Sequence, residues 1–299
     1  MPKNKMQRYK ANGEIFSSQL SVHSLDCHAD KSVRNDAKGK NSSSFHHFIS
    51  SQNCPAFTLA EVLITLGIIG VVAALTIPNL LQDSIDREAI SRLKKAYSTL
   101  SSAYKLAEQS NDTPDQWGFT GYNSASDEIM INNLKPYLNV LKDCSVALTK
   151  GCFTPGIQYK YLDNTNTINY NDTGGSLLLA DGTSIKGTVI SAQCLSVMGS
   201  STALKRTCAY ILVDVNGFKG PNTVGKDFFY FYLTNYGIVP IGTQTDTFYP
   251  FVDGGCINTN GTYNIGVACT AWVLYNDNLD YVKCPKTLQN GWSGPTHCN

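Results

Sequence analysis

The feature that most limits what this chain can become is a run of 20 residues, Val62–Leu81, without one charged side chain. A helix of about 20 apolar residues matches the thickness of a bilayer core. A cleaved secretory signal would carry a shorter apolar region with a small-residue cleavage site behind it. Here Ile77, Pro78, Asn79, Leu80 and Leu81 close the run, and no A-x-A pattern follows. A lipoprotein signal is excluded because Cys54 precedes the run. Charge is distributed to match a membrane segment. Residues 1–56 hold eight Lys/Arg against four Asp/Glu, which leaves 16 basic and 19 acidic residues beyond them, a net of −3. A basic segment ahead of an apolar run is the order of a chain whose start is held on the cytoplasmic side. The formal net charge of +1 gives no basic stripe for a nucleic-acid partner.

Residues 1–56 are rich in Ser, Asn, Lys and His and show no sustained apolar period, so they read as unstructured. Beyond Pro78 the pattern changes from continuous to periodic. Leu81, Ile85, Ala89, Leu93, Ala96, Tyr97, Leu100, Tyr104 and Ala107 recur every three or four residues, one stripe of an amphipathic helix. Asp86, Arg87, Arg92, Lys94, Lys95 and Lys105 occupy the opposite face. Breakers from Gln109 to Pro114 end it. The predicted helix spans Leu59–Glu108, on the order of 75 Å at 1.5 Å per residue.

The remainder, with 42% apolar and 16% charged residues in the whole chain, has a globular composition. A helical turn or two is expected around Asp127–Leu141. Strands are expected at Gln158–Leu162, Ser176–Ala180, Ser184–Ile190, Cys208–Val213, Asp227–Leu233, Gly237–Ile241 and Ala271–Tyr275. Asp181-Gly182 marks a hairpin turn, and Asn216-Gly217 and Asn260-Gly261 mark further turns. No internal repeat or second domain boundary is visible, and the Gly/Asn-rich tail from about Asp253 reads as stapled loops.

Of ten cysteines, Cys27 and Cys54 precede the apolar run and eight follow it. An even set of eight in a loop-rich region predicts four disulfides and an oxidising compartment. Reduced thiols or a metal site are the alternative, but there is no C-x-x-C pair and one His follows the run. Pairing sequence neighbours is the simplest connectivity: Cys144–Cys152, Cys194–Cys208, Cys256–Cys269 and Cys284–Cys298.

Glu61 stands at the edge of the apolar run. An acid there either sits among lipid headgroups or has a function, because ionisable residues in membrane segments are costly. Its surroundings carry a resemblance. Ala56-Phe57-Thr58-Leu59-Ala60-Glu61-Val62-Leu63-Ile64, with an apolar run closed by Pro78, resembles the N-terminal signal of type IV prepilins and type II secretion pseudopilins. In that family a peptidase cuts immediately before the Phe and methylates the new N-terminus. A Glu is kept four residues after that Phe and a Pro lies twenty-one after it, as Glu61 and Pro78 stand to Phe57. The resemblance covers about 25 residues. The sequence departs from the family at Ala56, where Gly is usual, and in the 56 residues before the cut, so either the leader is long or translation starts downstream of Met1.

The resemblance implies that Glu61 neutralises the Phe57 amine of a neighbouring subunit and sets axial register, since an unpaired buried charge is heavily penalised. Pro78 removes a helical hydrogen bond and can kink or loosen the helix. Gly67 and Gly70 permit close helix approach or are ordinary membrane-helix glycines.

The segment Asp214–Phe229 also looks like one that recurs in pilin-like proteins of this sort. Asp214, Asn216, Asn222 and Asp227 cluster oxygens that suit Ca²⁺, which takes six to eight. The segment departs from the EF-hand pattern, and the alternative is a Gly/Asn/Pro turn between two strands. No cofactor is otherwise required. An enzyme is not expected. Four of five His lie before residue 57, leaving His297, and there is no G-x-S-x-G, H-E-x-x-H or P-loop. Acids such as Asp181 and Asp253 could form a glycosidase pair, but Asp in turns is commonplace. Trp272 and Trp292 could bind a ligand or fill a core.

The sequence therefore predicts an α+β, pilin-like fold. Residues 1–56 form a leader removed by prepilin peptidase, 57–81 a transmembrane and assembly helix, 82–112 its amphipathic continuation, and 113–299 an extracytoplasmic β-rich head. The function implied is a structural subunit of a type IV pilus or type II secretion pseudopilus. Its partners would be homologous subunits, the peptidase, the inner-membrane assembly platform and membrane lipid, with no nucleic acid. The alternative is a membrane-anchored extracytoplasmic binding module or adhesin without a filament role.

Overall fold

The computed structural model describes residues 57–144, 151–153, 159–164, 167–168, 175–260 and 265–298. The expected leader, Ala56, Gln158 and the Gly261 half of the Asn260-Gly261 turn lie outside these residues.

Helix α1 runs over Leu59–Asn111, 53 residues with Pro78 inside. The helix is therefore not broken at Pro78, although the proline nitrogen has no hydrogen to give the preceding turn. It ends where Asp112 takes a left-handed backbone (φ 61°) and Pro114–Gln116 begins a 3-10 turn. The Trp117 indole donates to the Asp112 carbonyl at 2.9 Å and seals that end.

From residue 72 onward the chain forms one compact unit. Its centre is a six-stranded antiparallel sheet, ordered β1 (Val140–Asp143), β4 (Ser176–Leu179), β5 (Ser184–Val189), β6 (Thr207–Asp214), β7 (Phe228–Thr234) and β8 (Gly237–Pro240). A two-stranded ribbon pairs β2 (Tyr159–Lys160) with β3 (Thr167–Ile168). The β4–β5 hairpin turns at Asp181-Gly182 as the sequence predicts, with Gly182 at φ 87° and its N–H donating to the Leu179 carbonyl at 3.0 Å.

Strands β6 and β7 are almost wholly buried on both faces. Side chains alternate between faces. The Tyr97 ring of α1 stacks on Phe231 at 5.8 Å, so the helix covers the face that carries Phe229, Phe231 and Leu233. On the other face Phe228 packs on Tyr159, and Tyr210 lies against Tyr232 across the ladder. That double coverage explains the near-continuous apolar sequence of both strands.

The packed stripe of α1 differs from the expected one at its start. Ala89, Ile90, Leu93, Ala96, Leu100, Ala103, Tyr104 and Ala107 are buried, while Leu81 and Ile85 are exposed. The sheet is reached only from about residue 89, and Ile90 and Ala103 join the stripe. The polar face also has partners. Lys94 pairs with Asp277 (2.7 Å), Lys95 with Asp181 (2.8 Å), and Lys283 reaches back to Asp83 (2.8 Å) and Asp86 (3.3 Å).

One further expectation is refined and one is corrected. The helical turns expected around Asp127–Leu141 are α2 (Ser124–Leu134), started by the Asn123 side chain, which accepts the Ser126 N–H at 2.9 Å. A 3-10 turn follows, and Val140 and Leu141 belong to the edge strand β1. Helix α2 lies so close to β5 that a Cβ at Gly187 would collide with Met130. The apolar run Ala271–Tyr275 is helical, not extended: α3 covers Thr270–Asn276, and α4 (Asp280–Lys283) follows it. A five-residue apolar run does not by itself separate helix from strand. Here Ala271 N–H donates to the Ile241 carbonyl (2.9 Å) and the Thr270 hydroxyl accepts the Tyr230 N–H (3.1 Å). Both contacts hold the segment over the β7–β8 edge as a turn of helix.

Four disulfides join Cys144–Cys152, Cys194–Cys208, Cys256–Cys269 and Cys284–Cys298, the sequence-neighbour pairs. The last closes a separation of 14 residues around α4 and fixes the C-terminal tail. Loops of that size restrict the unfolded chain by about 3 kcal/mol. Replacing Cys284 and Cys298 together by alanine is therefore expected to lower unfolding stability by about 2–3 kcal/mol. Urea denaturation of the full chain in detergent measures this, and an unchanged midpoint would contradict it.

Candidate functional site

Two places carry the residues that the sequence singles out. The first is the start of α1. Thr58 and Glu61 form a capping box: the Glu61 carboxylate accepts the Thr58 N–H (2.9 Å) and hydroxyl (3.0 Å), and the Glu61 N–H donates to the Thr58 hydroxyl (3.2 Å). This reciprocal pair satisfies two donors that a helix start leaves open. Thr58 was missed by the sequence reading although its T-x-x-E spacing was legible. Phe57 precedes the cap and is 86% exposed.

From Phe57 to Ile85, fifteen large apolar side chains are exposed. This stretch holds the one segment among the described residues that is long and apolar enough to cross a membrane. It is not a buried core helix, since none of that window is covered. Its two hydroxyls are satisfied locally: Thr65 donates to the Val62 carbonyl (3.0 Å) and Thr76 to the Val72 carbonyl (2.9 Å). Gly67 and Gly70 leave open space where a Cβ would stand.

The second place is the connection between β6 and β7. Asp214 ends β6 and Asp227 immediately precedes β7. Both are buried, at 0% and 1% exposure. The Asp214 carboxylate accepts from the Tyr159 hydroxyl and from the N–H groups of Asn216 (3.2 Å) and Gly217 (2.8 Å). The Asp227 carboxylate accepts from the N–H groups of Asn222 (2.7 Å) and Thr223 (2.6 Å) and from the Asn216 side-chain amide (3.1 Å). Burial raises both carboxyls above the usual range, Asp214 to about 8 with the nearby Asp227 charge adding to it. The amide oxygens Oδ1 of Asn216 and Asn222 are buried and have no hydrogen-bond partner. The structure thus brings all four sequence-predicted oxygen residues together. Tyr159 joins them from 55 positions away, which no local pattern signals. The turn reading also applies, since Asn222 (φ 54°) and Gly217 (φ 63°) adopt left-handed backbone in this loop.

The other chemistry-bearing residues have structural partners. His297 Nδ1 lies 3.5 Å from Asp280, which also accepts the Cys298 N–H. Asp181 pairs with Lys95, and Asp253 accepts the Thr259 N–H at 2.7 Å. Trp272 is fully buried and stacked on Phe251 at 4.2 Å, so it fills a core, and Trp292, half-buried, packs against it. Among the described residues no three His, Cys, Asp or Glu side chains gather as a metal site.

The fold and these sites define a class in coarse terms: an α+β chain with a long, apolar-ended helix, an antiparallel sheet and four disulfides. No family model, curated protein or solved structure matches this chain.

Proposed function

We propose that this chain is an assembling subunit of the type IV pilin and type II secretion pseudopilin kind, made as a precursor and cut before Phe57. The observation that carries the reading is the exposed apolar half of α1, Phe57–Ile85, continuous with a half buried along one stripe. So much apolar surface is not tolerated in water. It requires lipid before assembly and equivalent helices after it. Glu61 is the only charge in that stretch before Asp83, which suits it to meet the Phe57 amine of a neighbouring copy. Basic residues ahead of the run favour a cytoplasmic leader and an extracytoplasmic head, and the disulfides suit an oxidising compartment. The reading assigns assembly, not catalysis, to the chain.

Coexpression of the full chain with a prepilin peptidase, followed by mass spectrometry of the mature protein, tests this. The expected product begins at Phe57, with or without an added methyl on its amine. A chain left uncut, or cut beyond Pro78, would overturn the proposal. An anchored binding module without a filament role is separated by sedimentation, since it would stay in the membrane fraction and never enter sheared filaments.

A further inference from the structure

We propose that the head holds an anionic phospholipid headgroup through Lys219 and Lys226, in the cleft between α1 and the β6–β7 loop. The inference rests on the reading that α1 enters lipid as far as Leu81. Strand direction identifies the surface. Arg206, just ahead of β6, pairs with Asp115 past the end of α1. Just after β6, the Val215 carbonyl accepts from Arg92 (3.4 Å). Strand β6 therefore runs back along α1 towards the apolar run, and the loop 216–226 projects further the same way. Its Lys219, Gly220, Pro221 and Lys226 line a cleft of about 150 Å³ together with Gln82, Ile85 and Asp86 of α1. Helix α4 stands at the same level, since Lys283 pairs with Asp83 and Asp86. At 1.5 Å per residue Asp86 lies about 7.5 Å past Leu81. The headgroup layer on each side of a bilayer core is about 5–7 Å deep. The cleft thus opens at the depth of the lipid headgroups.

Charge selects the occupant. The acids around the cleft are already engaged. Glu88 pairs with Arg92 (2.8 Å), and the Asp227 carboxylate accepts from Asn216, Asn222 and Thr223. Lys283 serves both Asp83 and Asp86, and exposed Arg87, one turn from Asp83, offsets the second of these acids. Lys219 and Lys226 form no salt bridge among the described residues. They are the cations left over, and a phosphodiester is the anion that a leaflet presents at that depth. Ile85, Ala89, Pro221 and Leu279 give the cleft apolar walls, against which lysine stems and the glycerol end of a lipid can lie while the ammonium groups meet phosphate. Phe218, beside Lys219, is 50% exposed, and Ile85 and Leu81 are exposed as well. A soluble phosphate would leave these three in water, whereas a lipid surface covers them.

The test uses the full chain reconstituted in vesicles of phosphatidylcholine and phosphatidylglycerol in equal parts. Alkaline extraction first shows whether the chain is embedded. The chain is then taken into mild detergent, and the lipids it retains are counted by native mass spectrometry. Phosphatidylglycerol should be retained in preference, with each lysine contributing about fivefold. Lys219→Gln/Lys226→Gln should therefore lower the preference about twentyfold, and Lys219→Gln alone, at an exposed side chain, keeps the test open if the double variant misfolds. Lys105→Gln/Lys205→Gln is the charge-matched control. Both its lysines are exposed; Lys105 is roughly 36 Å along α1 from Leu81, and Lys205 adjoins Arg206 at that same far end. This variant should retain lipid as the wild type does, and added glycerol phosphate should displace none. Equal retention of the two lipids by the embedded wild-type chain would overturn the proposal alone, as would an equal loss of preference in the control. Displacement by glycerol phosphate would assign the cleft to a soluble phosphate and overturn it too. A preference that survives Lys219→Gln/Lys226→Gln while that variant fails to enter filaments would mean that the lysines meet another subunit instead. Release of the chain by alkaline extraction would overturn the membrane reading of α1, and this inference with it.

Discussion

Glu61→Gln is expected to stop filament growth while leaving leader removal and folding of the head intact. The reason lies in the two things Glu61 does. Within its own chain it closes the capping box with Thr58. Glutamine serves in that box as well as glutamate, so the helix start survives the change. Between chains, under the proposed assembly, the carboxylate neutralises the Phe57 amine of the neighbour, and glutamine cannot. A cation left unpaired in a packed apolar bundle carries a large penalty. Incorporation should fall roughly a hundredfold or more on that basis. Thr58→Ala provides the contrast. It removes the cap and keeps the charge, so filaments should persist with a modest loss. The measurement is the amount of subunit in sheared, sedimented filaments, normalised to mature subunit in the membrane. Should Thr58→Ala be the variant that abolishes filaments and Glu61→Gln the one that spares them, helix capping and not charge pairing governs assembly.

The second large effect is expected at Phe231. This ring is fully buried in the middle of β7, opposite Ile211 in register and stacked on Tyr97 of α1. It is a contact through which the helix meets the sheet. Truncation of such a side chain removes its burial and leaves a cavity, together about 3–5 kcal/mol. Phe231→Ala should therefore lower the urea midpoint of the full chain in detergent, with little change in the slope. Leu81→Ala is the control. Leu81 is 59% exposed, and its loss should shift stability of the head by less than about 0.5 kcal/mol. Equal destabilisation by the two substitutions would mean that the packed stripe of α1 begins where the sequence pattern begins, at Leu81.

That contrast shows how far the pattern alone can be read. The uncharged run, Glu61 at its edge, Pro78 within it and the change to three-four periodicity all follow from residue order, and α1 forms over nearly the predicted range. Helices depend on contacts three and four residues apart, so their signal is local. The same holds for the Asp181-Gly182 hairpin, for β6 and β7, and for disulfides between sequence neighbours. The oxygen cluster was legible as a set of Asp and Asn residues within one loop.

Other properties were decided only in three dimensions. Periodicity records which residues can face a partner, but the partner's extent sets where burial starts. The sheet reaches α1 from about Ala89, so Leu81 and Ile85 stay exposed. Ala271–Tyr275 has the composition of a strand, but it is helical, seated beside the sheet by the Thr270–Tyr230 and Ala271–Ile241 hydrogen bonds. Leu141 lies at the edge of the sheet because β1 pairs with β4, some 36 residues on. The β6–β7 loop shows the difference most clearly. The sequence supplies four oxygen-bearing side chains. Only folding buries two carboxylates together, brings Tyr159 onto Asp214 and strands two amide oxygens without donors. Burial is a property of the whole packed unit, and it is burial that raises both carboxyls of this turn above the usual range.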